Sequence, residues 1–244
     1  VAKLTRVPLT GLEPGERKLD PKSAHYLCGV LRLRAGERFI AFDPETKLEA
    51  EARLATSEDG VYCGVGPLRP SARATDTGIV LVQSLGKGDK TEQVIRAATA
   101  LGVAELHLVE SARSVSRVNE RSDAKRVRWE AIALDAARQC GRADVPQIVG
   151  PHTLDHELES WRDESAIKLC LVPGATQTLR SLTAAWTVGS PIAILIGPEG
   201  GLDPAEISEA ERAGFTPVNF GELVLRTEIA GTAVLGALLL VAQE

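Results

Sequence analysis

Five apolar residues, Ile192 to Ile196, run straight into Gly197-Pro198-Glu199-Gly200-Gly201, and this junction restricts the fold more than any other stretch. An unbroken apolar run of that length suits a strand buried on both faces, the pattern of parallel sheets. Three glycines among the next five residues permit positive φ and let a ligand approach the backbone closely. Asp203-Pro204-Ala205-Glu206 has the form of a helix start: Asp as N-cap, Pro at the first helical position, Glu three residues after the cap. That helix is expected to run to about Ala213 and stop at Gly214. Thr216 to Phe220 reads as a second buried strand ending at Gly221. Leu223-Val224-Leu225-Arg226-Thr227-Glu228 then leads into an apolar helix rich in Ala, Leu and Gly. Strand, glycine turn, capped helix, strand and polar turn describe either a ligand cradle at strand C-termini or plain α/β turns. Periodicity leaves both open. Neither common nucleotide motif, G-x-x-x-x-G-K-[ST] or G-x-G-x-x-G, occurs here.

The region before this stretch divides in two. Up to about Pro70 the signals are short and β-like: a strand from Glu37 to Phe42, a turn at Asp43-Pro44-Glu45-Thr46, a returning strand from Leu48 to Leu54, and another at Gly60 to Val65. Such strands suit a small β-barrel. Pro67, Pro70 and Ser71 to Thr77 read as a linker. The expected division is a first domain over 1–72 and a second over 76–244. Gly78 to Gln83 reads as a buried strand. Asp89 and Glu92 are spaced as a capping box for a helix whose apolar face holds Val94, Ile95, Ala98 and Leu101. With a strand at Leu106 to Val109 this makes a βαβ unit. Val115 to Asn119 reads as a loop, and a long helix is expected over 122–140 with Val127, Ile132 and Leu134 on its buried side. Residues 144–165 read as a connection, Ala166 to Val172 as a strand, and the span from Gly174 to Gly189 as holding a short helix. That makes five strands of a mostly parallel sheet covered by helices.

Composition narrows the setting. A 44% hydrophobic content supports a core, but aromatics are only 4%, so aliphatic residues must build it. No apolar run reaches the ~18 residues of a membrane span, and no signal-peptide core is evident, so a cytoplasmic location is expected. The chain holds no methionine, and its natural start need not be Val1. Cys28, Cys63, Cys140 and Cys170 are scattered without metal-ligand spacing, so no metal is expected. The net charge of −5 is unevenly spread: residues 1–75 carry +2, 76–143 a further +2, and 144–244 carry −9. Any nucleic-acid contact is therefore expected from the first 143 residues.

The strings IGPEGG and LVLRTE, near the C-terminal end, resemble the RsmE family of SPOUT methyltransferases. The resemblance extends over nearly the whole chain. His25-Tyr26-Leu27, Val30-Leu31-Arg32-Leu33, Gly36-Glu37 and Phe42-Asp43 are similar to that family's N-terminal signature. Gln83-Ser84-Leu85, Lys87-Gly88-Asp89-Lys90, Glu92 and Leu101-Gly102-Val103 are similar to its central part. Gln139-Cys140-Gly141-Arg142 with Val145-Pro146 follows in the same order. Two departures stand out: Ile229 follows Glu228 where the family has a threonine, and Arg6-Val7 replaces an Arg-aromatic pair.

The resemblance implies a PUA-like β-barrel followed by a SPOUT α/β-knot domain, with a mostly parallel sheet and a C-terminal trefoil knot. It implies S-adenosyl-L-methionine as cofactor, N3 of one uridine in 16S ribosomal RNA of the small subunit as acceptor, and a homodimer. On that reading the cofactor lies against Leu171, Val172, Ile196, Gly197, Pro198, Glu199, Gly200, Gly201, Phe220, Gly221, Leu223 and Leu225. Methyl transfer to nitrogen needs a way to remove the N3 proton, which points to Arg226 and Glu228 as catalytic. An Arg–Glu pair pinning the turn is the structural alternative. Lys87, Lys90, Arg113 and Arg142 are candidate RNA-binding residues. A methyltransferase acting on ribose or another base, and a non-catalytic RNA-binding assembly protein, are the competing functions. Cofactor binding separates the last from the others, and mapping the methylated nucleotide separates the first two.

Overall fold

The computed structural model describes residues 4–75, 77–118, 122–183 and 186–241. The chain forms two compact units, one of Val1–Thr75 with Ala137–Val145, the other of Asp76–Ala136 with Pro146–Glu244. Segment 137–145, expected with the second domain, groups with the first.

The first unit holds β1 (Arg6–Pro8), β2 (Gly15–Lys18), α1 (Pro21–His25), a π-helical turn (Tyr26–Val30), β3 (Arg38–Phe42), β4 (Leu48–Ser57), β5 (Gly60–Val65) and β6 (Arg69–Pro70). They pair as one mixed sheet in the order β1-β3-β4-β5-β2, with β6 on β4. Only β1–β3 is parallel. In β4, Ala50, Ala52 and Leu54 are buried while Glu51 and Arg53 face solvent, the period of two that lays one face on a core. That core includes Val7, Leu27, Phe39, Ala41 and Cys63. His25 ends α1, whose N-cap Asp20 accepts hydrogen bonds from the Lys22 and Ser23 amides.

The second unit holds β7 (Ile79–Ser84), α2 (Lys90–Ala100), β8 (Glu105–Glu110), α3 (Ser122–Cys140) up to Ala136, β9 (Gln147–Thr153), α4 (Leu154–Ser160), β10 (Ile167–Leu171), β11 (Gln177–Thr178), α5 (Leu179–Thr183), β12 (Ile192–Ile196), α6 (Pro204–Arg212), β13 (Thr216–Asn219) and α7 (Thr227–Val241). Seven strands form an all-parallel sheet, β11-β13-β10-β12-β7-β8-β9. All five residues of β12 are buried, as an unbroken apolar run in a central strand requires. The chain fills one half of the sheet with β7, β8 and β9, then returns to fill the other. Such a reversal leaves a crevice at the strand C-termini.

Four expectations need correction. Residues 144–165 are not a mere connection but contain β9 and α4, and β11 also lengthens the sheet. Gly150-Pro151 interrupts β9, which argues against a central strand; β9 escapes the objection by lying at the sheet edge. Asp89 makes no side-chain cap hydrogen bond, and Thr91 Oγ1 instead accepts the Gly86 amide at 3.1 Å. Val127 is 62% exposed, because the buried face of α3 follows Trp129, Ala133, Ala136 and Ala137. Asn119, assigned to a loop in sequence, lies outside the described residues.

A buried charge cluster holds α4 against β8 and β9. The Glu157 carboxylate meets His107 Nδ1, His152 Nε2 and the Trp161 indole N–H, each at 2.6 Å, and Glu105 meets His107 Nε2 at 3.0 Å. His156 packs edge-on against His152. Burial alone would raise the Glu157 pKa, but hydrogen bonds from His107 and His152 outweigh it and hold it at about 2. Burial would likewise lower His107, but Glu105 and Glu157 push it up to about 9. The Glu157 contribution to stability is present above its ordinary value of 4.5 and is lost as pH falls through 2. That of His107 is complete below 6.5 and is lost as pH rises through 9. Stability in urea is thus expected to decline from pH 6.5 to 9. Glu157→Gln should lower it by about 3–5 kcal/mol, the scale of a broken buried pair, and flatten that decline. An equal pH slope in both proteins would count against the coupling.

Candidate functional site

The C-terminal ends of β10, β12 and β13 open onto a cavity of about 450 Å³. That volume and its largely apolar wall fit a small-molecule ligand. All twelve residues expected to contact a cofactor line it, from Leu171 and Val172 through the 196–201 turn to Phe220, Gly221, Leu223 and Leu225. Pro173, Leu202, Ile207, Asn219, Val224, Thr227 and Ala230 complete the wall. Sequence patterning places the turns but not which flanking side chains bend back over them.

The glycine turn is built for backbone exposure. Gly201 adopts φ 69°, where nonglycine residues are strained, and a Cβ at Gly197 would lie 3.0 Å from both the Leu202 amide nitrogen and Leu202 Cγ. The turn is fastened from three sides. Thr227 Oγ1 donates to the Gly197 carbonyl at 2.6 Å and accepts from Gln83 Nε2 at 2.9 Å. Arg113 donates to the Gly200 carbonyl and to Asp203, each at 3.0 Å. The Asp203–Glu206 capping box starts α6 as the sequence indicates. Gln83 is buried with its Oε1 lacking a hydrogen bond among the described residues, and no periodicity singled it out.

The charged groups are arranged differently from expectation. Lys90 is on the cavity wall, its ammonium 3.0 Å from Glu199 and 3.4 Å from Glu228. The second contact satisfies ion-pair distance, and Glu228 Oε2 is buried without a hydrogen bond among the described residues. The Glu199 bond and charge raise the Lys90 pKa despite some desolvation. In Glu199, burial works upward, but the Lys87 amide and Lys90 prevail and hold its carboxyl below the usual range. Glu228 therefore pairs with Lys90 rather than Arg226, and it stands behind the wall rather than in it. Arg226 lines the cavity, is exposed, and has no ion pair or hydrogen bond from its guanidinium among the described residues.

The four candidate RNA-binding residues part company. Lys87 is exposed. Lys90 and Arg113 belong to the cavity. Arg142 is 5% exposed and grips Asp144 through two hydrogen bonds of 3.1 and 2.6 Å, while Asp144 accepts from Thr75. A guanidinium so enclosed braces the first unit and offers no open face to a phosphate.

A parallel sheet that ends in an apolar, glycine-fastened cavity beside cations is a site for a small charged molecule, and the family models place the chain in the class of RNA methyltransferases. The family model described as an RNA methyltransferase domain matches residues 74–239, and one described as an RNA methyltransferase PUA domain matches 19–65. Among curated relatives, ribosomal RNA small subunit methyltransferase E of Bacillus subtilis is 29% identical over 89% of this chain and 87% of its own length. The protein of that name in Mycobacterium bovis is 30% identical over 90% and 84%. A Legionella pneumophila methyltransferase solved with bound SAM superposes with a TM-score of 0.87 at 28% identity, covering 97% of both chains. The Neisseria gonorrhoeae ribosomal RNA small subunit methyltransferase E bound to S-adenosyl methionine gives 0.83 at 26%, covering 96% of each. The chain belongs to the ribosomal RNA small subunit methyltransferase E family.

Proposed function

We propose that this protein methylates N3 of one uridine in small-subunit ribosomal RNA, using S-adenosyl-L-methionine. The observation that carries the reading is the cavity at the ends of β10, β12 and β13, in a chain whose solved neighbours are named with that cofactor. The cavity fits the group: its volume is sufficient, Leu171, Ile196, Leu202 and Leu225 give apolar walls, and the Gly197–Gly201 backbone lies open to polar atoms.

S-adenosyl-L-methionine, when bound, supplies an activated methyl group, so the protein need only position and deprotonate the acceptor. The N3 proton must pass to solvent water or hydroxide before its electron pair can form the new N–C bond. Arg226, unpaired on the cavity wall, offers its fork to a uracil carbonyl and stabilises the uridine anion. Glu228 and Glu199 hold the Lys90 ammonium on the same wall, where it remains a second donor within reach of the site. Lys87 is the remaining open candidate for RNA phosphate beside this site.

Exposed apolar residues at the rim, Leu223 at 83% and Val224 at 76%, fit the homodimer that the family resemblance implies. No described helix is long and apolar enough to cross a membrane, and a cytoplasmic location accords with an rRNA substrate. The trefoil knot and the 1–72 and 76–244 domain division belong to the same reading.

Mass spectrometry of small-subunit rRNA from a deletion strain is the test. One N3-methyluridine should vanish and return on complementation with this chain. An unchanged nucleoside profile, or a lost ribose methyl instead, would sink the reading.

A further inference from the structure

We infer that the first unit carries a phosphate-binding site formed by Arg6, Arg69 and Arg73 around a cavity of about 280 Å³. Three guanidiniums here face one carboxylate. Glu49 accepts from Arg6 Nη2 at 2.8 Å, Arg69 Nε at 3.1 Å and Ser71 Oγ at 2.6 Å. Its capacity is largely taken, and the group as a whole keeps an excess of positive charge.

Two observations indicate that an acceptor belongs in the cavity. Arg6 is 9% exposed, and its buried Nε–H has no hydrogen-bond partner among the described residues. A buried donor left unpaired is costly, and a small turn of the Arg6 side chain toward an oxyanion in the cavity would satisfy it. The Arg73 guanidinium also lines the cavity and makes no hydrogen bond or ion pair among the described residues. Arg6 is held in place over the Phe42 ring at 5.2 Å, and the Arg73 Nη1 lies beside Gly141, where the missing side chain leaves it room. Planar guanidinium forks match the paired oxygens of phosphate. Leu4 and Ile40 give the cavity apolar walls.

The phosphate can come from an RNA backbone or from a free phosphate compound; the first source rests on the rRNA substrate proposed above, the second does not. Arg73→Gln removes an exposed, unpaired charge and should leave the fold intact. Arg53→Gln, an exposed arginine on β4 of the same unit, is the control. The variants are titrated with a labelled fragment of small-subunit rRNA at several salt concentrations. In parallel, inorganic phosphate is added while the arginine Nε–H resonances are followed.

Expected for wild type is a saturable shift of the Arg6 Nε–H with phosphate, lost in Arg73→Gln. Arg73→Gln should also lower the log–log salt slope for RNA by about 0.7, one single-strand phosphate contact, while Arg53→Gln leaves it alone. Phosphate saturation with an unchanged RNA slope keeps the site and assigns it to a free phosphate compound. No saturable phosphate shift, together with equal slopes for both variants, overturns the inference. Wild-type protein that binds neither RNA nor S-adenosyl-L-methionine would instead sink the methyltransferase reading, leaving the phosphate titration to decide this site.

Discussion

Gly197→Val will bind S-adenosyl-L-methionine about a hundredfold more weakly than wild type while remaining folded. A Cβ built on Gly197 lies 3.0 Å from the Leu202 amide nitrogen and 3.0 Å from Leu202 Cγ. The side chain can yield, but the amide starts the approach to α6 and cannot move alone. Overpacking of this kind costs the fold about 1–3 kcal/mol, and affinity falls about tenfold for each ~1.4 kcal/mol of ligand contact that the shifted wall loses. The valine methyl groups would also enter the cavity wall. Displacing residue 197 further strains its carbonyl, which accepts from Thr227. Gly201→Ala is the comparison: its Cβ meets nothing within 4 Å, so only the strain of φ 69° remains. Calorimetric titration should therefore rank wild type, Gly201→Ala and Gly197→Val in falling affinity, with thermal unfolding as the check on folding. Unchanged affinity in a folded Gly197→Val protein would move the cofactor elsewhere.

What the sequence could announce here was local. The run Ile192–Ile196, the glycine turn and the Asp203–Glu206 cap each depend on neighbours within a few residues, and the structure shows all three as read. Positive φ was legible as a property of the turn, but only the fold decides that Gly201 takes it. What the sequence did not show depended on how the fold arranges side chains and strands. β9 hides behind Gly150-Pro151 because edge position, which excuses a proline, is a property of the sheet. Arg142 looks like a free cation until Asp144, which also serves Thr75, closes over it. Lys90 resembles a solvated turn residue, yet the β12 turn and the start of α7 deliver Glu199 and Glu228 to it. The same delivery separates Glu228 from Arg226, whose closeness in sequence suggested a pair. At a helix N-terminus, residues two apart point to different sides.

That separation shapes the expected behaviour of Arg226→Lys. The lysine keeps the charge but loses the planar fork that could address a uracil carbonyl through two donors. Single-turnover methylation at saturating cofactor and RNA should slow by roughly ten- to a thousandfold, the scale of losing one oriented donor. Cofactor affinity should change little, because Arg226 is exposed and fastens none of the turn residues. The deficit should shrink as pH rises, since hydroxide then lowers the cost of losing the N3 proton, which the guanidinium otherwise offsets by stabilising the anion. A purely structural Arg226 would behave otherwise: weaker cofactor binding, lower thermal stability and no recovery with pH. Glu228→Gln supplies the contrast, because Glu228 is paired with Lys90 and does not line the cavity. It should loosen Lys90 and reduce the rate without giving the pH recovery seen with Arg226→Lys. If Arg226→Lys turns over at the wild-type rate under these conditions, the uridine anion is stabilised by another group, and Lys90 is the cation on the same wall to test next.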